Sequence, residues 1–175
     1  MARASVRGYQ QHNFKTFAVG LRIYVKGVAK PTLVSMLRSK ADELVSALDT
    51  NSYNIPIYLG HLHDATGCAV YVDGRLEYFR PTAKMASGKL GKSGFDGVNH
   101  YGIDGSLFLQ RIVSDGVQHF SNGIYFVIYS NTPYAYHINA EGSPLNRGKC
   151  YFNNITNTTV NAILSGLRAV QQSKT

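Results

Sequence analysis

The run Thr66-Gly67-Cys68-Ala69-Val70-Tyr71-Val72-Asp73-Gly74-Arg75-Leu76-Glu77-Tyr78-Phe79-Arg80 is the most telling part of the chain. Two β-prone segments flank an Asp-Gly pair. A tight hairpin turn needs positive φ, which Asp-Gly tolerates, so this stretch predicts a β-hairpin. Strand character extends back to Ile55. On the N-terminal side, Pro31 to Asp49 changes period: Leu33, Val34, Leu37, Ala41, Leu44, Val45 and Leu48 recur at three- and four-residue steps. That spacing lays them on one stripe of a helix. Pro31 suits a first turn, where its missing N–H costs nothing, and Arg38, Lys40, Asp42 and Glu43 fall on the opposite, solvated face.

On the C-terminal side, Ser121-Asn122-Gly123 reads as a turn leading into Ile124-Tyr125-Phe126-Val127-Ile128-Tyr129, the most β-prone run of the chain. Thr158 to Gln171 reads as a second helix, with Val160, Ile163, Leu164, Leu167 and Val170 on one face and Asn157 or Thr158 as its cap. Phe14 to Val28 is a mixed apolar stretch of strand character. Residues 1–12 are expected to form a flexible basic arm. Residues 84–105 hold six glycines from Gly88 to Gly105 and few apolar residues, which predicts a long flexible Gly-rich loop. The expected fold is therefore α+β: one domain over 1–175, with a small, mostly antiparallel sheet, a long helix in the N-terminal half and a C-terminal helix.

Composition narrows the function. The 175 residues carry 18 Lys+Arg against 10 Asp+Glu, a formal charge of +8, with 44% hydrophobic and only 16% charged residues. That balance suits a folded core and excludes a disordered chain. No apolar run reaches the ~20 residues of a membrane helix, so no membrane association is expected. Met1-Ala2-Arg3-Ala4-Ser5-Val6-Arg7 lacks the apolar stretch of a secretory signal, and Cys68 and Cys150 are too few for a disulfide framework. Low charge with 12 Tyr and 17 Gly suits either partner-facing surfaces or a Tyr-rich β-domain with half-buried strands.

Catalytic chemistry finds little footing. Ala86 to Ser93 fits a loosened phosphate-binding loop, but Arg80-Pro81-Thr82-Ala83-Lys84 is no buried strand feeding it. Nor can Ser93-Gly94-Phe95-Asp96-Gly97 begin a stable helix after it. His61 and His63 would share one face of a strand, yet His100, His119 and His137 lack the paired spacing of zinc ligands. Neither cysteine has a nucleophile motif and the acids are scattered. The expectation is a non-enzyme without metal, cofactor or small-molecule substrate. The charge favours a polyanion nearby, and no sequence-reading motif accompanies it. A small, basic, non-specific nucleic-acid-binding protein therefore stands as the alternative reading.

Two segments carry a family resemblance. Ile55-Pro56-Ile57-Tyr58-Leu59-Gly60-His61-Leu62-His63-Asp64-Ala65 resembles the P-V-D-T-G-x-L-x-x-S stretch of the head–tail joining (neck or tail-completion) proteins of tailed bacteriophages. Ile128 to Gly142, with Asn131, Tyr134-Ala135-Tyr136, Glu141 and Gly142, resembles that family's N-x-x-x-Y-A-x-x-x-E-x-G segment. The order of elements matches over most of Pro31 to Gln171. Tyr58-Leu59 stands where the family has Asp-Thr, and Ala65 where it has Ser. The resemblance implies a structural virion protein, assembled in the host cytoplasm. It would form a homo-oligomeric ring between the portal or its adaptor and the tail proteins, through which DNA passes. Pro56, Gly60, Leu62, Tyr134, Ala135, Tyr136, Glu141 and Gly142 become candidate subunit or partner contacts. Arg3, Arg7, Lys84, Lys89 and Lys92 become candidate DNA-facing residues.

Overall fold

The computed structural model describes residues 5–13, 16–50, 52–53, 66–83, 120, 122–130, 142–143, 146–147 and 151–173. In chain order the elements are β1 (Ser5–Asn13), β2 (Thr16–Tyr24), α1 (Lys30–Asp49), β3 (Thr66–Val72), β4 (Arg75–Pro81), β5 (Ile124–Ser130), β6 (Gly142–Ser143), β7 (Asn146–Arg147) and α2 (Tyr151–Gln172). The fold is α+β. Five strands form one sheet in the order β1-β2-β5-β3-β4, and every neighbouring pair is antiparallel. The late strand β5 inserts between two early ones. The β6–β7 pair is a separate, minimal ladder.

The Asp73-Gly74 turn forms as its chemistry requires, with φ of 49° and 81° at the two residues. Left-handed backbone at both positions matches the strand twist. The turn is tied down from two sides: Asp73 N–H donates to the Gly123 carbonyl at 2.8 Å, and Gly123 N–H donates to Asp73 Oδ1 at 2.9 Å. Gly123, at φ 105°, is thereby the hinge into β5.

Both helices cover one face of the sheet. α1 packs on β3 and β4, while α2 packs on α1 and reaches β1. Alternate residues of the strands point into this layer: Val19, Leu21 and Ile23 from β2, Cys68 and Val70 from β3, Ile124, Phe126 and Ile128 from β5. They meet Leu33, Leu37, Ala41, Leu44, Val45 and Leu48 of α1 and Ile155, Ile163 and Leu167 of α2. The predicted stripe of α1 is thus the buried one, with Val34 half-buried. The Cys68 thiol donates to the Ala41 carbonyl at 3.6 Å, and burial pushes its pKa far up, which makes it an inert core group.

The residues between them point the other way and build a second cluster: Ala69, Tyr71, Phe120, Tyr125, Val127 and Tyr129. Phe79 stacks on Tyr129 with ring centroids 5.6 Å apart, and Phe120 lies 5.0 Å from both Tyr71 and Tyr125. Burial on both faces explains why β5 reads as a continuous apolar run. It also settles what three of the tyrosines do, for Tyr71, Tyr125 and Tyr129 are core residues.

Two sequence expectations need correction. Residues 5–13 are no free arm, since all nine pair in register with β2, from Ser5 opposite Tyr24 to Asn13 opposite Thr16. A hairpin ladder is made by backbone groups, so Ser5–Asn13 can join it without an apolar alternation to announce it. Second, α2 begins at Tyr151, so Asn157 and Thr158 lie inside the helix and cap nothing. The buried stripe runs back through Thr159 to Ile155. Thr159 fits there because its hydroxyl donates to the Ile155 carbonyl at 2.7 Å, a bond that satisfies it within the helix. The 84–105 loop lies outside the described residues.

Candidate interaction surface

Charge is distributed unevenly over this scaffold. The acids of the described residues, Asp42, Glu43, Asp49, Asp73 and Glu77, all lie on α1, on β4 or in the turn before it. Each has a partner. Tyr78 Oη donates to Asp42 Oδ1 at 2.6 Å and the Arg80 guanidinium binds the same carboxylate. Lys40 pairs with Glu43 at 2.7 Å, Ala83 N–H donates to Asp49 at 2.7 Å, and Lys30 pairs with Asp73 at 2.6 Å. Arg38 donates to the Glu77 backbone carbonyl at 2.9 Å, with its carboxylate 3.7 Å away. This flank, α1 with β3–β4, is closed upon itself.

The hydrogen bond from Tyr78, joined by that from Arg80, holds the Asp42 carboxyl below its ordinary value of 3.8. A carboxylate depressed on folding adds stability above its unfolded pKa and loses it as pH falls through the lower, folded value. The side chains are about two-fifths exposed, so solvent screens the pair to about 0.5–1 kcal/mol. Urea unfolding titrated downward from pH 5 should therefore show stability falling below about pH 4. Asp42→Asn should flatten that fall. An unchanged slope in the variant would show the pair to be idle.

The opposite flank is made of β1, β2 and α2 and contains no acid. α2 has 22 residues, of which only Arg168 is charged. Its exposed positions include Asn154, Asn157, Thr158, Asn161, Ser165 and Ala169. Surface helices usually gain from Glu–Lys pairs one turn apart, and this one has none. Residues that hydrogen-bond without charge are what the desolvated centre of a protein contact tolerates. On β2, the Arg22 guanidinium lies 4.9 Å from the Tyr24 ring centre and 5.6 Å from that of Tyr125. Tyr24 is an exposed aromatic.

The sheet ends differently on its two sides. β4 is a blunted edge: Pro81 offers no N–H, Arg75, Glu77 and Arg80 put charges along it, and Arg38 takes the Glu77 carbonyl. Its pairing to β3 also shifts register between Val70 and Tyr71. Such devices keep an edge from pairing further. β1 carries a single charge, Arg7, and neither a proline nor a register shift. It is nine residues long, uninterrupted in register, without Lys or Pro, and among the described residues it is paired on one side only.

Most residues singled out from sequence, namely Pro56, Gly60, Leu62, Tyr134, Ala135, Tyr136, Glu141, Arg3, Lys84, Lys89 and Lys92, lie outside the described residues, as do Ala86–Ser93 and the six histidines except His12. Gly142 sits in β6 opposite Arg147, and Arg7 sits in β1 opposite Arg22. Among the described residues no three His, Cys, Asp or Glu side chains gather as metal ligands. A shallow groove lined by Lys30, Pro31, Val34, Ser35, Arg38, Val72 and Glu77 has its charges engaged in the pairs given above. The acid-free flank escaped sequence reading in part. The charge-poor helix was legible in Tyr151–Gln172, whereas its place beside β1 is tertiary information. No family model, curated protein or solved structure matches this chain.

Proposed function

We propose that this chain is a structural protein of a tailed bacteriophage, repeated as a ring at the head–tail junction through which DNA passes. The portal or its adaptor would meet one side of that ring and tail proteins the other. The observation that carries this reading is the outer face of α2, 22 residues long with a single charge, set in a molecule whose other flank pairs each of its described acids. Such a surface is suited to burial against protein rather than to chemistry. The Ile55–Ala65 and Ile128–Gly142 segments and their order along the chain support the same assignment. The net charge of +8 suits a subunit lining a path for a polyanion.

Electron microscopy tests this. The purified protein mixed with the adjoining connector proteins should show rings, and the particle should show the chain at its neck. Absence of any ring both in that mixture and at the neck of the particle overturns the assignment. The charge also motivates the alternative of a free-standing nucleic-acid-binding protein. That reading expects the isolated chain to bind duplex DNA tightly, with affinity falling steeply as salt releases counterions, and weak binding near physiological salt removes it.

A further inference from the structure

The contrast between the two sheet edges has a consequence. Five antiparallel strands leave two outer rows of backbone donors and acceptors. The row on β4 is interrupted by Pro81, by the shift at Val70–Tyr71 and by Arg38 on the Glu77 carbonyl. Among the described residues nothing pairs with the outer row of β1, whose ladder to β2 runs unbroken through Ser5–Asn13, about 30 Å at the usual strand rise. An edge of that length without bulge or proline, and with Arg7 as its one Lys or Arg, is a template for another strand.

We propose that the outer edge of β1 binds a second copy of this chain, β1 against β1, antiparallel about a two-fold axis, so that two sheets become one. A copy is the fitting occupant because β1 can satisfy itself. With Tyr9 opposite Tyr9 of the partner subunit, Arg7 falls opposite the partner's Gln11 and Ser5 opposite the partner's Asn13. No like charges then stand directly across from one another, an arrangement that would cost stability. The two-fold contact is antiparallel, the pairing that strands favour slightly per residue. Joining β1 to the β4 edge of another copy with the helices kept on one face would instead be parallel, because an odd number of antiparallel strands leaves both edges running the same way, and it would use the interrupted row.

A polar ring repeats its subunits head to tail and cannot be generated by this contact. The pair is therefore the form of the free chain. Since α2 contacts β1, the pair forms on the flank that the ring reading assigns to assembly. The inference stands without that reading.

Light scattering of the purified full chain at about 100 µM should give twice the chain mass of 19.3 kDa. The double variant Tyr9→Lys/Gln11→Lys places two more charges on each edge and should halve the mass while keeping the wild-type circular dichroism. A monomeric wild-type chain, an open-ended series of larger species, or a doubly substituted chain that remains a dimer overturns the proposal. A second measurement holds if that variant fails to fold. Tyr9→Cys with Cys150→Ser, oxidised under native conditions, should cross-link to itself through residue 9, since directly opposed Cα atoms lie within disulfide reach. Failure to form that link also overturns the proposal. Rings at the neck of a particle neither require nor exclude either result, so the two readings fail separately.

Discussion

Phe126→Ala is expected to lower the unfolding free energy by about 3–5 kcal/mol, the usual cost of emptying a buried phenylalanine site. Phe126 is fully buried on the central strand β5, with Leu21 of β2 and Val70 of β3 as its register partners. All three point into the layer shared with both helices. Truncation opens a void bounded by two neighbouring strands and the helical layer. Those strands are held by their own ladders and cannot close in to fill it. Domains of this size are stable by about 5–15 kcal/mol, so a fifth or more of the total is at stake. Urea unfolding followed by circular dichroism should show a lower midpoint with an unchanged slope. Phe126→Leu should lose roughly 1–2 kcal/mol, because most of the volume is retained. A loss below about 1 kcal/mol for the alanine variant would mean that β5 is not at the centre of the sheet.

Gly67→Ala should cost about 3 kcal/mol, the upper end of the range for overpacking by one carbon. A Cβ at Gly67 would stand 2.7 Å from the Arg80 carbonyl oxygen and 2.8 Å from Pro81 Cα, and against the Tyr129 hydroxyl as well. Two of those atoms are backbone of the adjacent strand, so relief demands moving β4 itself. The variant should melt at lower temperature and loosen the Phe79–Tyr129 stack, visible as a change in near-ultraviolet circular dichroism. Gly166→Ala is the control. Its Cβ would come 2.9 Å from Met36 Sδ, but a methionine side chain can swing away. Removing a glycine from a helix interior returns about 1 kcal/mol of propensity, so this substitution should be within about 1 kcal/mol of neutral. Equal losses at both positions would contradict the distinction between a backbone obstacle and a flexible one.

How much of this was legible beforehand depends on which forces acted locally. The Asp73-Gly74 hairpin and the α1 stripe were readable because turn chemistry and helical periodicity act over a few neighbouring residues. The start of α2 was misplaced because Thr159, a polar residue, occupies a buried position. Its hydroxyl is silenced by the Ile155 carbonyl, and a hydropathy pattern cannot register that. β1 was mistaken for an arm because its ladder with β2 is made by backbone groups, which leave no mark on the hydropathy pattern of Ser5–Asn13. The abundance of tyrosine left two readings open, and the burial of Tyr71, Tyr125 and Tyr129 on the second face of the sheet assigns those three to the core. As for the interaction surface, the shortage of charge in Tyr151–Gln172 could be read directly, while the unequal edges of the sheet could not.

By itself, the sequence determined the class of the fold, two helices, one hairpin and a central strand, because propensity and periodicity are short-range properties. Only the tertiary structure decided that β5 enters between β2 and β3, that α2 lies beside β1, and that, among the described residues, β4 is blunted while β1 is paired on one side only. Those outcomes depend on pairings between residues as far apart as Leu21 and Phe126, or Arg38 and Glu77. They are selected by which arrangement buries both faces of the central strands at once, a condition no window of neighbouring residues contains.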